Sequence, residues 1–277
     1  MNPPRRRAVL TGATGGIGRA IAVRLAPACE ALLLVGRDAV KLEALCRGLR
    51  AAGSECRSLA VDLATAAGRE AVREAAARLP GGVDLLINNA GAGEFAWFAD
   101  QDDAALERVL RVNVIATLQL TRGLLPLLAA QPAARIVNIG SIFGHLGYPG
   151  YAAYSASKFA LRGFSEALRR ELADGPVRVT WFAPRSTRTA MNRDAVGAMN
   201  AELGVAMDDP EEVARAFMAH LARPERERLL GMPERLFARL NQILPSLVDR
   251  GLRRQLDVIR RHARGTTPPT SLEGAKR

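Results

Sequence analysis

A chain of 277 residues with 48% hydrophobic side chains can bury a large single core, which excludes a disordered or disulfide-stapled miniature protein. No run of eighteen uncharged apolar residues is present, which argues against a transmembrane helix. The formal charge of +11 is almost all arginine, since only Lys41, Lys158 and Lys276 are lysines; no arginine cluster interleaves with aromatics, so nucleic acid is excluded as a partner, while phosphorylated ligands and acidic proteins suit the charge.

Residues 1–7 (MNPPRRR) resemble a signal n-region, but a glycine turn follows instead of an apolar h-region, which points to a cytoplasmic protein. Residues 7–10 (RAVL) read as a short buried strand. They lead through Thr11-Gly12-Ala13-Thr14-Gly15-Gly16-Ile17-Gly18 into a helix over 16–25, with Ile17, Ile21 and Leu25 on one side. Strand, glycine turn and helix in that order aim backbone N–H groups and a positive helix end at a pyrophosphate, with no Cβ in the way. Residues 31–35 (ALLLV) are continuously apolar, as in a strand covered on both faces. That strand ends in Gly36-Arg37-Asp38, where Asp38 caps a helix over 39–51. A third strand ends at Val61-Asp62-Leu63, and a fourth over 84–87 (DLLI) runs into Asn88-Asn89-Ala90-Gly91. Asn113 and Ser141 precede Tyr154-Ser155-Ala156-Ser157-Lys158. Tyrosine and lysine four apart share one helix face, roughly 5–6 Å between Cβ atoms, so the ammonium can stabilise a phenolate and lower a phenol pKa of about 10. A sixth strand covers 177–182 (VRVTWF). The alternation of strands and helices predicts an α/β, doubly wound parallel sheet with helices on both faces.

Cys29, Cys46 and Cys56 are few and odd in number and read as buried free thiols in a reducing cytosol. His145, His220 and His262 lie far apart and offer no metal site; His145, near Ser141, is a candidate for touching substrate. Residues 223–264 carry eleven arginines against five acidic residues, with Leu236, Phe237, Leu240, Ile243, Leu244, Leu247 and Val248 at helical spacing. Pro245 should kink or divide that helix, and Leu252, Leu256 and Ile259 continue the pattern. This C-terminal helical extension is expected to pack on its own core or a neighbouring subunit; an anionic membrane or an apolar substrate pocket are the other surfaces it suits. Residues 265–277, with Pro268-Pro269, read as a disordered end.

These motifs, taken together over residues 5–225, resemble the short-chain dehydrogenase/reductase family: TGATGGIG is similar to its TGxxxGxG turn, and Asn89-Ala90-Gly91, Asn113, Ser141, Tyr154 and Lys158 follow in its order. The resemblance implies a Rossmann-like domain over 1–225, followed by the extension over 226–264. It implies that Gly12, Thr14, Gly16, Ile17 and Gly18 line the pyrophosphate turn. Asp62 would meet the adenine with Leu63 beside it, and Asn89, Ala90 and Gly91 would pack on the adenosine side. Thr189, after Pro184, would contact the nicotinamide carboxamide. Asn113, Ser141, Tyr154 and Lys158 match the catalytic tetrad. There Ser141 donates to the substrate oxygen, Tyr154 is the acid/base, Lys158 tunes the phenol and holds ribose hydroxyls, and Asn113 holds a water.

An acidic residue at the end of the second strand would bind the ribose 2′-hydroxyl of NAD, whereas an arginine suits the 2′-phosphate of NADP; Arg37 therefore favours NADP(H). Gly15 stands where a second basic residue would reinforce that choice, so NAD(H) stays the alternative. Two residues depart from the family pattern: Arg185 replaces a glycine after Pro184, where arginine cannot enter positive φ as cheaply, and Thr187 replaces a valine. The expected activity is interconversion of a ketone and a secondary alcohol by a homo-dimer or homo-tetramer. Its hydrophobic substrate (fatty acyl, steroid-like or aromatic) would lie among residues 95–98, 142–151 and 185–205, with Phe95, Trp97, Phe98, Phe143, Leu146, Tyr148 and Met191 as lining. A dinucleotide-binding sensor or a membrane-surface interaction protein is the competing reading, and an acyl carrier protein is a candidate acidic partner.

Overall fold

The computed structural model describes residues 5–192 and 194–265. In chain order it contains β1 (Arg6–Thr11), α1 (Gly16–Leu25), β2 (Cys29–Gly36), α2 (Ala39–Ala51), β3 (Cys56–Ala60), α3 (Ala66–Ala77) and β4 (Leu85–Asn88). The chain continues through α4 (Asp103–Leu110), a π turn (Arg111–Ala116), α5 (Thr117–Ala129), β5 (Ala134–Ile139), α6 (Ala152–Glu171) and β6 (Val177–Ala183). Beyond β6 come α7 (Ala195–Glu202), α8 (Pro210–Ala222), β7 (Glu227–Leu229), α9 (Met232–Ile243), α10 (Pro245–Arg253) and α11 (Leu256–Ala263).

The strands form one parallel sheet in the order β3-β2-β1-β4-β5-β6-β7. Both faces are covered, as the unbroken apolar run of β2 requires. On one side Ile21, Leu25, Leu42, Val213 and Phe217 of α1, α2 and α8 pack on Leu10, Leu34 and Ile87. On the other, Val72, Leu120, Leu124 and Leu168 of α3, α5 and α6 pack on Val9, Leu33, Leu86 and Ile136. Strand order reverses between β1 and β4, and the loops leaving those two strands part there to open a crevice at their carboxyl ends.

The expected ranges of α1 and α2 are met, and Asp38 caps α2 by accepting from Lys41 N at 3.0 Å. Asp84 falls just before β4 rather than in it, and its carboxylate accepts from the Arg7 N–H and Nε at 3.2 Å each. The thiol expectation is overturned: Cys46 of α2 and Cys56 of β3 form a disulfide, leaving Cys29 as the free, buried thiol with its pKa pushed up to about 12 by burial. Three cysteines do not reveal a pair, because the bridge depends on α2 folding back over the strand that follows it. The cysteine count therefore no longer speaks for a reducing compartment.

The continuous helix Asp103–Ala129 is long and apolar enough to cross a membrane by length and composition, yet Leu120, Leu124 and Leu128 along it are core residues. Pro245 divides the C-terminal extension into α9 and α10, as its missing N–H dictates. The last helix, α11, packs on its own chain. Ile259 is fully buried, Arg261 and His262 reach Glu202 at 2.9 and 2.8 Å, Arg264 bonds Asp100 at 2.8 Å, and the Arg260 guanidinium lies 4.9 Å from the Trp97 ring centre. The expectation of a disordered end falls, from residue 266 onward, outside the described residues.

Candidate functional site

The glycine turn is locked to the loop after β4 by main-chain contacts that tolerate no side chain. Gly12 adopts φ +64°, and a Cβ there would stand 2.8 Å from Ala90 Cα; one on Gly18 would overlap the Gly12 carbonyl oxygen. Thr11 Oγ1 accepts from the N–H groups of Asn89 and Ala90 at 2.9 and 3.0 Å. Asn89 Nδ2 donates to the carbonyls of Thr11 and Gly12 at 3.0 and 3.1 Å. Side-chain oxygens cap α2, α3 and α4, and a capping box closes α8, but the first turn of α1 has Gly15 at its cap position and no side-chain acceptor. Its amides thus remain available to an anion, which fits a dinucleotide pyrophosphate. Across the crevice a Cβ on Gly16 would meet the Thr189 methyl at 2.7 Å, so Thr189 stands directly over the turn.

Arg37 is exposed at the end of β2, while Asp38 is held by the Lys41 N–H and, at 2.9 Å, by Lys41 Nζ. The exposed Asp62 accepts from Ala64 N at 2.9 Å, and Leu63 turns its side chain into the core while its carbonyl accepts from Arg69 at 2.7 Å.

The four tetrad residues arrive from three elements. Ser141 follows β5 and its Oγ accepts from Phe143 N at 3.2 Å and hydrogen-bonds the Tyr154 hydroxyl. Lys158 sits one turn after Tyr154 on α6, with Nζ 5.5 Å from the tyrosine ring centre and donating to Ile139 O at 3.1 Å. Asn113 lies in the π turn, a register shift that often marks functional sites. Its Oδ1 accepts from Ala92 N at 2.7 Å, and its Nδ2 donates to Ala92 O and Ser157 Oγ at 2.8 and 2.9 Å. Both amide hydrogens are thereby committed to bracing the Gly91 loop against α6. Beneath, Asn88 Nδ2 donates to Thr121 Oγ1 and Asn138 Oδ1, and Asn138 Nδ2 to Ser165 Oγ, a buried polar floor joining β4, β5, α5 and α6. Nothing in the sequence pattern singled out that floor, since its members are spread over 78 residues of chain.

The electrostatics correct one expectation. Burial pushes the Tyr154 phenol up to about 12, opposed only in part by its hydrogen bond from Ser141, and burial pulls the Lys158 ammonium down to about 8. In the protein alone desolvation outweighs the lowering expected from the lysine. Tyr154 therefore keeps its proton at neutral pH.

Beside the phenol an aromatic wall forms the remaining side. The Phe143 ring meets Tyr148 at 5.1 Å and Tyr154 edge-on at 6.3 Å; Tyr151 lies 5.8 Å from Tyr154 and 5.0 Å from Phe95. Met191 reaches over Gly93, next to the tyrosine ring. Tyr151, Val196, Met199 and Ile259 join this cluster; the first three fall within the segments expected to line the pocket, whereas Ile259 lies outside them and arrives because α11 folds back on α7. Trp97 and Phe98 do not line it: Trp97 packs under Arg260, and Phe98 is exposed. His145 is also placed elsewhere. It is buried with Nε2 2.6 Å from Glu227 Oε1, and its carbonyl receives Asn241 Nδ2 of α9 at 3.0 Å. Arg185 needs no positive φ, since Asp194 is the one such non-glycine among the described residues. It instead ties its loop to Asp208 at 2.6 Å and to Glu234 of α9 at 3.4 Å.

Residues 6–200 match the model of the short chain dehydrogenase family. The chain is 30% identical to the ketoacyl reductase HetN of a Nostoc species over 249 residues, 87% of this chain and 86% of that protein. A short chain dehydrogenase/reductase of Burkholderia phymatum, solved in complex with NAD, superposes with a TM-score of 0.80 at 27% identity, covering 98% of this chain and all of that one. A short-chain dehydrogenase of Sphingobium yanoikuyae in complex with NADPH gives a TM-score of 0.74 at 28% identity, over 88% of this chain and 95% of the other.

Proposed function

Since the chain belongs to the short-chain dehydrogenase family of oxidoreductases, we propose that it interconverts a ketone and a secondary alcohol on a hydrophobic substrate, with NADP(H) as its cofactor. The observation that carries this reading is the Ser141–Tyr154 hydrogen bond beside Lys158, opposite an uncapped glycine-rich helix start. A dinucleotide sensor has no need of that pair.

When bound, the nicotinamide cofactor supplies or accepts the hydride. Gly12, Thr14, Gly16, Ile17 and Gly18 would hold its pyrophosphate, Arg37 a 2′-phosphate, Asp62, Leu63, Asn89, Ala90 and Gly91 its adenosine, and Thr189 its nicotinamide end. Ser141 Oγ–H donates to the substrate oxygen where negative charge grows, typically a contribution of about 2.7–4 kcal/mol. Tyr154 hands its hydroxyl proton to that oxygen in reduction and takes it back in oxidation. Lys158, fixed by the Ile139 carbonyl, keeps a cation beside the phenol and within reach of ribose hydroxyls. Asn113 holds the Gly91 loop in register with α6, and a water beside it is proposed as the route of proton resupply. The aromatic wall favours acyl, steroid-like or aromatic carbonyls. Likeness to a ketoacyl reductase and the basic surface support an acyl chain delivered by an acidic carrier protein. Exposed Leu110, Ile115 and Phe159, on the adjoining α4, π turn and α6, support a homo-dimer or homo-tetramer.

A panel of hydrophobic ketones followed by NADPH absorbance tests the activity, and silence across the panel refutes it. In the same assay Arg37→Ala should raise KM for NADPH roughly tenfold or more, by removing a charge-assisted contact, and leave NADH unchanged. Equal cofactor preference in both enzymes would remove Arg37 from that role.

Burial also sets a pH limit. Lys158 is protonated below about 8 and loses its cation as pH rises through that value, whereas Tyr154, near 12, keeps its proton. Reductive kcat should therefore fall above about pH 8. In Lys158→Arg, whose guanidinium stays charged, that limb should vanish even though the rate is lower throughout. A wild-type profile flat to about pH 10 would assign the lysine no such part.

A further inference from the structure

Helix α9 is amphipathic in the opposite sense to a core helix. It turns Ala238, Asn241 and Glu234 inward, onto the His145 carbonyl and Arg185. Met232, Leu236 and Ile243 recur at four- and seven-residue spacing along its outer stripe, where Met232 and Ile243 are 75% exposed and Leu236 67%. Phe237, Leu244 and Leu247 extend this apolar surface toward α10 and are about half exposed. Large apolar patches rimmed by polar groups mark interaction surfaces.

The rim identifies the partner. Arg235 and Arg239 flank the stripe, and neither has an acidic partner among the described residues. Both line a cleft of about 410 Å³ beneath α9. The other two arginines there, Arg162 and Arg228, face Glu227 at 3.1 Å and Glu225 at 3.8 Å, so Arg235 and Arg239 are its surplus charge. Residues 232–254 carry five arginines against two acidic residues. A second copy meeting this face across a two-fold axis would bring arginine against arginine. An anionic surface that accepts apolar side chains is what both halves of the patch match.

We propose that α9 and the start of α10 dock on an anionic lipid bilayer, with Met232, Leu236, Ile243 and Leu244 entering the interface and Arg235 and Arg239 meeting lipid phosphates. The helix rests on the segment following Ser141, so docking holds the site beside the lipid surface.

The full chain should co-sediment with vesicles of phosphatidylcholine containing about 30% phosphatidylglycerol, binding at least about tenfold more than to phosphatidylcholine alone and weakening as salt rises. The double variant Leu236→Glu/Ile243→Glu should lose that binding while keeping its Tm and NADPH affinity. Arg235→Ser/Arg239→Ser should erase the preference for anionic vesicles. Undiminished binding by the glutamate variant overturns the proposal. So does absence of wild-type binding, and should the glutamate variant then turn a dimer into a monomer in analytical ultracentrifugation, the face belongs to a second copy. Because NADPH affinity is read separately, failure here leaves the catalytic reading untouched.

Discussion

Tyr154→Phe is expected to lower turnover by about 10²–10⁴-fold while leaving NADPH affinity within about twofold. The phenylalanine ring keeps the edge contact with Phe143 and the packing on Tyr151, so the aromatic wall stands. The change removes the hydroxyl that bonds Ser141 and leaves that serine free to donate to the substrate oxygen alone. Electrostatic stabilisation then survives without proton delivery, and the oxygen must take its proton from water. Ser141→Ala is the complementary loss: Tyr154 keeps its proton, the growing oxyanion loses a donor, and kcat should drop about 10²–10³-fold. The double variant should fall well short of the product of the two losses, since the residues act through one hydrogen bond. Steady-state rates on the most active ketone, with NADPH binding by fluorescence titration, decide the matter. Wild-type turnover in Tyr154→Phe would dismiss Tyr154 as the acid; strict multiplicativity would dismiss the shared bond.

The parts of this site that could be read from sequence are those whose meaning is local. The glycine turn, the cap at Asp38 and the division at Pro245 are each dictated by backbone conformation within a few residues. The Tyr154–Lys158 pair follows from the helical repeat. Quantities set by tertiary burial were not legible. Spacing predicts a tyrosine eased toward neutrality, whereas the fold desolvates it and moves it the other way. Periodicity shows that α9 is amphipathic but cannot say which side meets the protein; the inward side turns out to be Ala238, Asn241 and Glu234. Ile259 enters the aromatic cluster from beyond residue 250 because α11 folds back on α7, a contact over some sixty residues of chain that no local pattern encodes.

Gly18→Ala should weaken NADPH binding by about 10²-fold and destabilise the fold by about 1–3 kcal/mol, whereas Gly15→Ala, three residues earlier, should do neither. The contrast lies in what a methyl group would meet. At Gly18 it would overlap the Gly12 carbonyl oxygen and stand 2.7 Å from Asn89 Nδ2. The obstacle is backbone, not the far end of a flexible side chain, so the start of α1 has to move off the turn. That movement also strains the 3.1 Å bond from Asn89 to Gly12, which holds the glycine turn against the loop carrying Ala90 and Gly91. An ångström of misplacement turns the uncapped amides away from the pyrophosphate they are proposed to bind. At Gly15 the backbone is extended at φ −71°, open to any residue, and a Cβ touches only the Gly12 oxygen at 3.4 Å, an ordinary contact. Thermal unfolding and NADPH titration of both variants separate the effects. If Gly18→Ala binds NADPH as the wild type does, the close approach of α1 to the turn is not what shapes the nucleotide site. If Gly15→Ala is as damaged as Gly18→Ala, the turn needs glycine for its freedom and not for its tight fit, and the Gly12 carbonyl is not the obstacle.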